Sequence, residues 1–273
     1  MRFVFLGTGT SAGVPAIGCD CAVCTSADPR DQRLRTGAAV QWIDPGGRER
    51  TVLIDATPDL RQQALRAGLR RCDAVLFTHN HVDHTFGLDE VRRFNVVQQA
   101  PIDVYAERHT MDHLRRVYTH IFESEKNINQ SFVATLIAHE IRPEEPVEIH
   151  GVRFLPVRLL HGRLPIVGYR IEAAVGVSIA APGVFPLAYC TDVSAVPPET
   201  WKHLRGLRTL VLDALRHRKH PTHMTLEEAV NTAANIGAAR TWFVHMAHDL
   251  GHEETNAVLP EGMSLAHDGL VLG

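Results

Sequence analysis

Three histidines and an aspartate are concentrated in one short segment of this chain. Residues 78–84 read Thr-His-Asn-His-Val-Asp-His and follow directly on the apolar run of residues 74–77. The run predicts a buried strand and a helical pattern begins near residue 86, so the segment is expected to be a strand-to-helix loop. Imidazoles and carboxylates bind metals, and one such loop can feed two ions at the ~3.5 to 4 Å separation of hydrolytic two-metal sites. The segment therefore predicts a binuclear metal centre.

Chance clustering is the alternative, because the chain contains 17 histidines among 273 residues. Chance scatters residues, however, and four further polar residues each follow an apolar run at distant points of the chain. They are Asp55, His161, Asp192 and His245. Each alone would be an ordinary polar residue at the end of a strand. Together, in this order, they favour a metal site built from several strand ends.

The residue 79–84 string and the four strand-end residues resemble the signature of the metallo-β-lactamase superfamily. The resemblance implies a single domain over residues 1–273 with the metallo-β-lactamase αββα four-layer sandwich, whereas periodicity alone gives only the α/β class. It also implies two divalent metal ions, zinc or manganese, with a hydroxide between them. The implied ligands are His79, His81 and His161 for the first ion, Asp83, His84 and His245 for the second, and Asp192 bridging both.

Three positions carry further implications of this resemblance. Asp83 is expected to serve in catalysis as well as in metal binding. Asp55 is expected to lie behind the ligands, where it would orient their loop without being a ligand itself. Diiron oxygen-reducing relatives are expected to carry a carboxylate where this chain has His81. The resemblance therefore favours hydrolysis over redox chemistry.

Three of the five cysteines, Cys19, Cys21 and Cys24, lie within six residues. A disulfide would leave one thiol over, and a redox C-x-x-C motif needs a helix start that the preceding Gly and Pro residues do not provide. One structural zinc ion is the interpretation that we favour. His248, three residues after His245, is the candidate fourth ligand, and a surface histidine is the alternative.

Residues near the two termini extend the resemblance from the superfamily to one particular family. Residues 5–10 read Phe-Leu-Gly-Thr-Gly-Thr, and with the cysteine triplet, the His245 and His248 pair and Asp268-Gly269 they resemble the phosphoribosyl 1,2-cyclic phosphate phosphodiesterase family of phosphonate catabolism. This likeness implies hydrolysis of a cyclic or small phosphodiester. A pyrroloquinoline-quinone biosynthesis relative shares a similar cysteine triplet, but it is expected to lack the full histidine set present here.

A further histidine is a candidate proton donor, because a departing alkoxide leaves more easily once it is protonated. His223 precedes a predicted helix and resembles the proton-donating histidine of cyclic phosphodiesterases and transfer-RNA-maturing relatives. Thr225 and Glu228 predict a capping box that would fix the helix entrance beside it. His217 and His220 are interpreted as substrate-side or solvated groups.

The Gly-Thr-Gly-Thr-Ser-Ala run of residues 7–12 also matches a loose dinucleotide-binding fingerprint. Such a loop must open a helix, and here Pro15, Gly18 and the cysteine cluster follow at once. We therefore reject a dinucleotide site and interpret the glycines as allowing tight backbone turns near the metal centre.

Composition limits the partners that this chain is expected to have. The 28 basic and 31 acidic residues nearly balance, and the basic pairs are dispersed, which argues against nucleic-acid binding. The family resemblance implies a small-molecule phosphodiester as the partner. The sequence shows neither a signal-peptide core nor an apolar stretch of ~20 residues. We expect a cytoplasmic protein that does not bind a membrane, with a homodimer left open.

The predicted elements alternate between strands and helices along the chain. Strands are expected at 2–6, 38–43, 51–55, 74–78, 102–106, 152–160, 167–172, 187–191, 208–213, 241–245 and 264–272, and helices at 58–67, 86–99, 108–122, 198–204 and 225–237. Residues 107–150 are the least constrained, and a lid over the site is one interpretation. His109 and His113 in this segment are interpreted as a solvated helical face, with metal binding as the alternative.

Two rival functions remain open from the sequence. One is another hydrolase on the same scaffold, such as an RNA-processing nuclease, a thioesterase or a lactonase. The other is a non-catalytic accessory protein of cofactor biosynthesis, which the complete ligand set disfavours.

Overall fold

Two seven-stranded sheets form the centre of the structure, a computed structural model that describes residues 1–123, 125, 128, 132–173 and 183–273. The strands are β1 Arg2–Gly7, β2 Gly37–Ile43, β3 Glu49–Ile54, β4 Ala74–Leu76, β5 Ile102–Glu107, β6 Leu136–Ile141, β7 Val147–Ile149, β8 Val152–His161, β9 Leu164–Ala173, β10 Leu187–Cys190, β11 Thr209–Asp213, β12 Arg240–Val244, β13 Met263–Leu265 and β14 Val271–Leu272. The first sheet has the strand order β14-β1-β2-β3-β4-β5-β6 and the second β13-β12-β11-β10-β9-β8-β7.

The helices are short and lie outside the sheets. The α-helices are α1 Leu60–Arg66, α2 Val82–Thr85, α3 Arg92–Gln98, α4 Arg108–Val117, α5 Thr119–Phe122, α6 Leu226–Ile236 and α7 His252–Asn256. Turns of 3₁₀ helix occur at Pro29–Asp31, Leu88–Val91 and Pro198–Leu204. No helix in the described ranges is long and apolar enough to cross a membrane.

Alternating side chains on the strands build three hydrophobic layers. In β1, Phe3 and Phe5 face the second sheet, where Tyr189 is among their neighbours. Val4 and Leu6 of the same strand point the other way, into the layer that the helices α1, α3 and α4 cover. A third layer packs α6 against the second sheet. Since both faces of each sheet are buried, the fold is the four-layer αββα sandwich.

The parallel strands place their carboxyl ends at a common edge. Strands β3 to β6 run parallel in the first sheet, and β10 to β13 run parallel in the second. Loops that leave parallel strands emerge on the same side, which is where open α/β sheets bind ligands. Polar residues following these strands are thereby brought together.

The structure differs from the sequence prediction mainly at weakly apolar segments. The predicted strand 264–272 is two strands, because a turn at Gly269, with φ of 86°, lets the chain cross from the second sheet to the first. The predicted helix 86–99 divides into a 3₁₀ turn and α3, the predicted helix 108–122 divides into α4 and α5, and 198–204 is a 3₁₀ helix.

The segment 107–150 contains two strands that the sequence did not predict. Strand β6 adds to the first sheet beside β5, and β7 adds to the second beside β8. Residues 124, 126, 127 and 129–131 lie outside the described residues. The lid interpretation remains a prediction.

Candidate metal centre

Several side chains of the candidate site lie where strands end. Asp55, Asp192 and His245 immediately follow or closely follow β3, β10 and β12, and each adopts a left-handed backbone, with φ of 65°, 59° and 62°. Residues with side chains rarely adopt this conformation, and it costs of order 1 to 3 kcal/mol at each site. The strand ends are therefore strained at the positions that aim side chains into a common centre.

The first cluster comprises His79, His81 and His161, whose ring nitrogens lie within 4.8 Å of one another. His161 donates through Nδ1 to the carbonyl oxygen of Thr222, 2.8 Å away. Nδ1 of His79 lies 3.0 Å from the hydroxyl of Thr78. Because these contacts use Nδ1, the Nε2 atoms are left for the centre. The Nε2 atom of His79 is buried without a hydrogen-bond partner among the described residues.

Burial keeps the first cluster neutral. It lowers the pKa of His161 to about 4 and the pKa of His79 well below its ordinary value. Neutral imidazoles bind metals, whereas protonated ones cannot. The cluster is therefore already in the form that a metal ion requires.

The second cluster comprises Asp83, His84, Asp192 and His245, again with ligand atoms within 4.8 Å of one another. Nε2 of His84 is 3.1 Å from Oδ2 of Asp192 and 3.3 Å from Oδ2 of Asp83. Nε2 of His245 is 3.2 Å from the other oxygen of Asp192. Asp192 also shares a third cluster with His161 and His223. It therefore lies between the two ligand sets.

The pKa shifts in the second cluster show that its buried carboxylates require a positive charge beside them. Burial would raise the pKa of Asp192, but His245 and His84 hold it well below its ordinary value. Burial would likewise lower the pKa of His245, yet Asp192 and Asp83 raise it to about 9. Three histidine nitrogens here, Nε2 of His84 and both nitrogens of His245, are buried without hydrogen-bond partners in the described chain. Buried imidazole nitrogens without hydrogen-bond partners, beside carboxylates that require a positive charge, fit a site that binds divalent cations in place of protons.

Asp55 contacts the ligand loop, residues 78–84, on the side away from the two clusters. Its Oδ2 atom lies 2.7 Å from Nδ1 of His84, and its Oδ1 atom accepts the backbone N–H of Thr78 at 2.8 Å. The Thr78 hydroxyl donates to the same carboxylate and contacts His79. One buried carboxylate thus orients histidines of both clusters, as an acceptor does for metal-binding histidines.

The ligand loop is held close to the loop after β3. A Cβ atom added at Gly87 would lie 1.9 Å from the carbonyl oxygen of Thr57. The amide of Gly87 donates to the carbonyl of Ala56, and the amide of Ala56 donates to the carbonyl of His84, both at 2.8 Å. Only glycine permits this approach, which fixes α2 and its ligands against Asp55.

His223 lies beside both clusters. Its ring centroid is 4.6 Å from that of His161, and it stacks on His245 at 4.6 Å with an interplanar angle of 13°. Its Nδ1 atom lies 3.0 Å from Oδ2 of the fully buried Asp213. The predicted capping box of Thr225 and Glu228 is confirmed at the start of α6. Nδ1 is thereby committed to Asp213, whereas Nε2 is not engaged by this contact.

Asp213 is a site residue that the sequence analysis missed. It ends β11 after an apolar run, the pattern that identified Asp55 and Asp192. Its other oxygen lies 3.6 Å from Nδ1 of His245, and the amide of Val193 donates to Oδ2 at 3.1 Å.

A cavity of about 500 Å³ opens beside His223. Its lining includes Arg163, Lys219 and His220, together with the hydroxyl-bearing Ser194. Lys219 is paired with Glu228 at 2.5 Å, and both side chains belong to the cavity wall. His217, by contrast, is exposed and does not line this cavity.

The three cysteines converge on His248. Their sulfur atoms lie 3.1, 3.3 and 3.4 Å from Nδ1 of His248, for Cys19, Cys21 and Cys24 respectively. Zn–S and Zn–N bonds in a tetrahedron place sulfur and nitrogen roughly 3.5 Å apart. All five cysteines are free thiols, and the backbone N–H of Cys24 lowers the pKa of Cys21 to about 6. The arrangement has the ligand count, type and spacing of a closed Cys₃His site.

The family profile described as "Beta-lactamase superfamily domain" matches residues 50–246. The chain belongs to this superfamily. A crystal structure of a diphosphatase from the PhnP family is 44% identical, with a TM-score of 0.86 over 100% of this chain and 97% of that one. At this identity and coverage, the chain also belongs to the PhnP family.

Two further relatives have different names. A protein named octanoyltransferase from Porphyromonas gingivalis is 36% identical over 272 residues, which is 99% of this chain but 51% of that protein. This chain therefore spans about half the length of that relative. The structure of Zn²⁺-bound PqqB from Methylobacterium extorquens is 23% identical with a TM-score of 0.77, covering 100% of both chains. This second likeness shows a shared fold.

Arg33 ties the N-terminal loop of this superfamily member to the segment that carries His245 and His248. Its fully buried guanidinium donates to the carbonyl oxygens of Ala247 at 3.0 Å and Leu250 at 2.5 Å. It also pairs with Asp31 at 3.1 Å. These carbonyls flank His248, so Arg33 fixes the backbone between them. No local pattern in the sequence distinguishes Arg33 from other loop arginines.

We expect Arg33→Met to lower the free energy of unfolding by about 3 to 5 kcal/mol, because it leaves Asp31 buried without its charged partner. Urea denaturation measures this change. Arg30→Met is the matched control, since Arg30 contacts Asp28 and Glu253 at the surface, where ion pairs contribute little. Equal losses in the two variants would contradict the assigned role of Arg33.

Proposed function

We propose that this protein is a metal-dependent phosphodiesterase that hydrolyses a cyclic or small phosphodiester at a binuclear centre. The observation that carries the proposal is that Asp192, a member of the mixed carboxylate and histidine cluster, also groups with His161 of the three-histidine cluster. Two adjacent ligand sets with one common carboxylate are the arrangement of two-metal hydrolytic sites. The membership of a diphosphatase in the same family supports a phosphate-containing substrate.

The proposed assignment of ligands follows the two clusters. His79, His81 and His161 would hold the first ion, and Asp83, His84 and His245 the second, with Asp192 between them. When bound, two divalent ions supply a water-derived nucleophile and neutralise the charge that develops on phosphoryl oxygens. Mixed nitrogen and oxygen donors suit zinc or manganese. Cys19, Cys21, Cys24 and His248 would hold one structural zinc ion.

His223 is proposed as the general acid for the departing alcohol. Its Nδ1 contact with Asp213 fixes the orientation of the ring, so that Nε2 faces away from Asp213 and can deliver a proton to the leaving oxygen. His223 lines the cavity of about 500 Å³. Proton delivery would therefore occur within the space where a substrate is proposed to bind.

The cavity favours a small anionic substrate. Arg163, Lys219 and His220 offer cationic or donor groups, while the volume of about 500 Å³ suits a small molecule. The near balance of 28 basic and 31 acidic residues supports this class over nucleic acid. Acyl transfer is the alternative activity, because the longer relative is named octanoyltransferase. Activity on a thioester substrate tests this alternative.

We expect the purified protein to contain two divalent ions in the active centre and one zinc ion in the cysteine site. Elemental analysis measures the metal content, and a panel of bis(p-nitrophenyl) phosphate, thioesters and lactones measures the activity. Chelation should abolish phosphodiester hydrolysis, and zinc or manganese should restore it. A single active-centre ion in fully loaded protein, or preference for thioesters or lactones, would contradict the proposal.

We expect His223→Ala to keep its full metal content while kcat falls about 10²- to 10⁴-fold on phosphodiesters with poor leaving groups, since protonation of the alkoxide is lost. Hydrolysis of bis(p-nitrophenyl) phosphate, whose leaving group needs little protonation, should fall much less. Steady-state kinetics on alkyl and nitrophenyl esters checks this difference. His217→Ala, at an exposed position of the same segment, is the control. Loss of metal in His223→Ala would make it a ligand instead of a donor.

We expect Cys21→Ser to lower the thermal midpoint by several degrees while the active-centre metals are retained, because binding free energy at a closed zinc site contributes directly to folding. Calorimetry and elemental analysis on the same sample separate the two effects. Asp20→Ser, an exposed change in the same loop, is the control. Loss of active-centre metal at an unchanged midpoint would argue that the cysteine site is not structural.

A further inference from the structure

The cavity beside His223 (the first cavity) adjoins a smaller one (the second cavity). The volume of the second cavity is about 330 Å³, and Ser194 and Glu228 belong to the walls of both. Val196, which lines the second cavity, is four residues after Asp192. An extended chain spans at most about 3.6 Å per residue, so the Cα atoms of Val196 and Asp192 lie within about 14 Å of each other. One small molecule can therefore contact the candidate metal centre and the second cavity together.

The two cavities differ in charge. Arg163, Lys219 and His220 line the first cavity and not the second. Glu228 is the only charged residue on the described walls of the second cavity. Its carboxylate is already paired with Lys219 and accepts the backbone N–H of Thr225 at 3.0 Å. An anionic group is therefore favoured in the first cavity, and an uncharged group in the second.

Trp201 supplies an aromatic surface on one wall of the second cavity. It lies in the 3₁₀ helix Pro198–Leu204, and its indole Nε1–H donates to the carbonyl oxygen of Val196 at 3.2 Å. This hydrogen bond uses the only polar group of the side chain and holds the ring in one orientation. The half-buried indole is thus left to interact with a ligand through its π face.

Helix α6 supplies free hydrogen-bonding groups on another wall. Asn231 and Thr232 line the second cavity and follow Glu228 by three and four positions, which places all three residues on one face of the helix. Neither the Asn231 amide nor the Thr232 hydroxyl has a hydrogen-bond partner in the described part of the chain. Both groups can donate and accept. An aromatic surface near free donors and acceptors fits a planar heteroaromatic ring, which is recognised by stacking and by hydrogen bonds to its edge.

We propose that the second cavity binds a heteroaromatic ring of the substrate, stacked on Trp201 and hydrogen-bonded to Asn231, while the phosphoryl group lies at the metal centre. This inference rests on the proposed function, because it requires a phosphoryl group at the two clusters. The substrate class is thereby narrowed to small phosphodiesters with an uncharged ring on the alcohol portion. Trp201 and Asn231 are then residues that determine specificity and take no part in the chemical step.

Adenosine 5′-monophosphate, ribose 5-phosphate and inorganic phosphate serve as probes in metal-loaded protein. All three carry a phosphoryl group, and only adenosine monophosphate carries a ring. Each is measured as a competitive inhibitor of bis(p-nitrophenyl) phosphate hydrolysis. We expect adenosine monophosphate to bind about tenfold more tightly than ribose 5-phosphate, because a base stacked on an aromatic side chain contributes about this much.

Tryptophan fluorescence gives a second measurement that does not depend on turnover. Trp42 and Trp242 line neither cavity. We therefore expect adenosine monophosphate to quench the fluorescence of the wild-type protein, and ribose 5-phosphate to leave it unchanged. The quenching should be lost in Trp201→Leu.

We expect Trp201→Leu to raise the inhibition constant of adenosine monophosphate about tenfold. The constants of ribose 5-phosphate and inorganic phosphate, and the metal content, should stay unchanged. Trp201→Phe, which keeps an aromatic face, should restore much of the loss. Asn231→Ala should weaken adenosine monophosphate about fivefold, through loss of one hydrogen bond. Asn235→Ala, an exposed amide one turn further along α6 that does not line the cavity, is the matched control.

Equal inhibition constants for adenosine monophosphate and ribose 5-phosphate in the wild-type protein would overturn the inference. An equal rise for all three probes in Trp201→Leu would also overturn it, because that result indicates a general structural change. If Trp201→Leu does not fold, Asn231→Ala compared with Asn235→Ala provides the test. A protein that binds two ions but does not hydrolyse the phosphodiester would refute the proposed function, and the fluorescence measurement would still test the ring site. The two failures are therefore distinguishable.

Discussion

The structure depends on burying the carboxylate of Asp192 among imidazoles. This side chain is 2% exposed, and no arginine or lysine pairs with it in the part of the chain that the structure describes. A buried charge is tolerated only if it is paired or bound to a metal. His84 and His245 meet this demand, and each is in turn oriented by a further carboxylate, Asp55 or Asp213. The site is thus an alternation of negative and positive groups, and it is stable only as a whole.

The two sheets make this arrangement of charges possible because both faces of each sheet are packed, which holds the strands rigidly in place. Fully buried strands deliver their ends to one edge, and left-handed residues at Asp55, Asp192 and His245 turn the chain there. Strained backbone persists where surrounding structure over-determines it. Contacts behind the ligands, such as the glycine approach at Gly87 and the Arg33 clamp, provide that surrounding structure.

The strands and the grouping of the candidate ligands could be predicted from the sequence because both have strong local signals. Continuous apolar runs are easily recognised in the sequence as strands buried on both faces, and polar residues directly after them mark the strand ends. Short or half-exposed segments, such as β6 with its exposed Ile137, carry no such signal and were missed. Arg33 acts through partners distant in sequence, the carbonyl groups of Ala247 and Leu250. Its role depends on packing, which no local pattern encodes.

The pairing of β14 with β1 determines where a further domain could be joined to this fold. Phe3 lies opposite Leu272, so the first and last residues of the sequence are neighbours. Strand β1 runs toward the ligands, since the carbonyl of Thr8 accepts the amide of Met246 next to His245. Met1 therefore begins about 20 Å from the metal centre, at the far edge of the sheet. A second module joined to either terminus would emerge on that far edge and leave substrate access unobstructed.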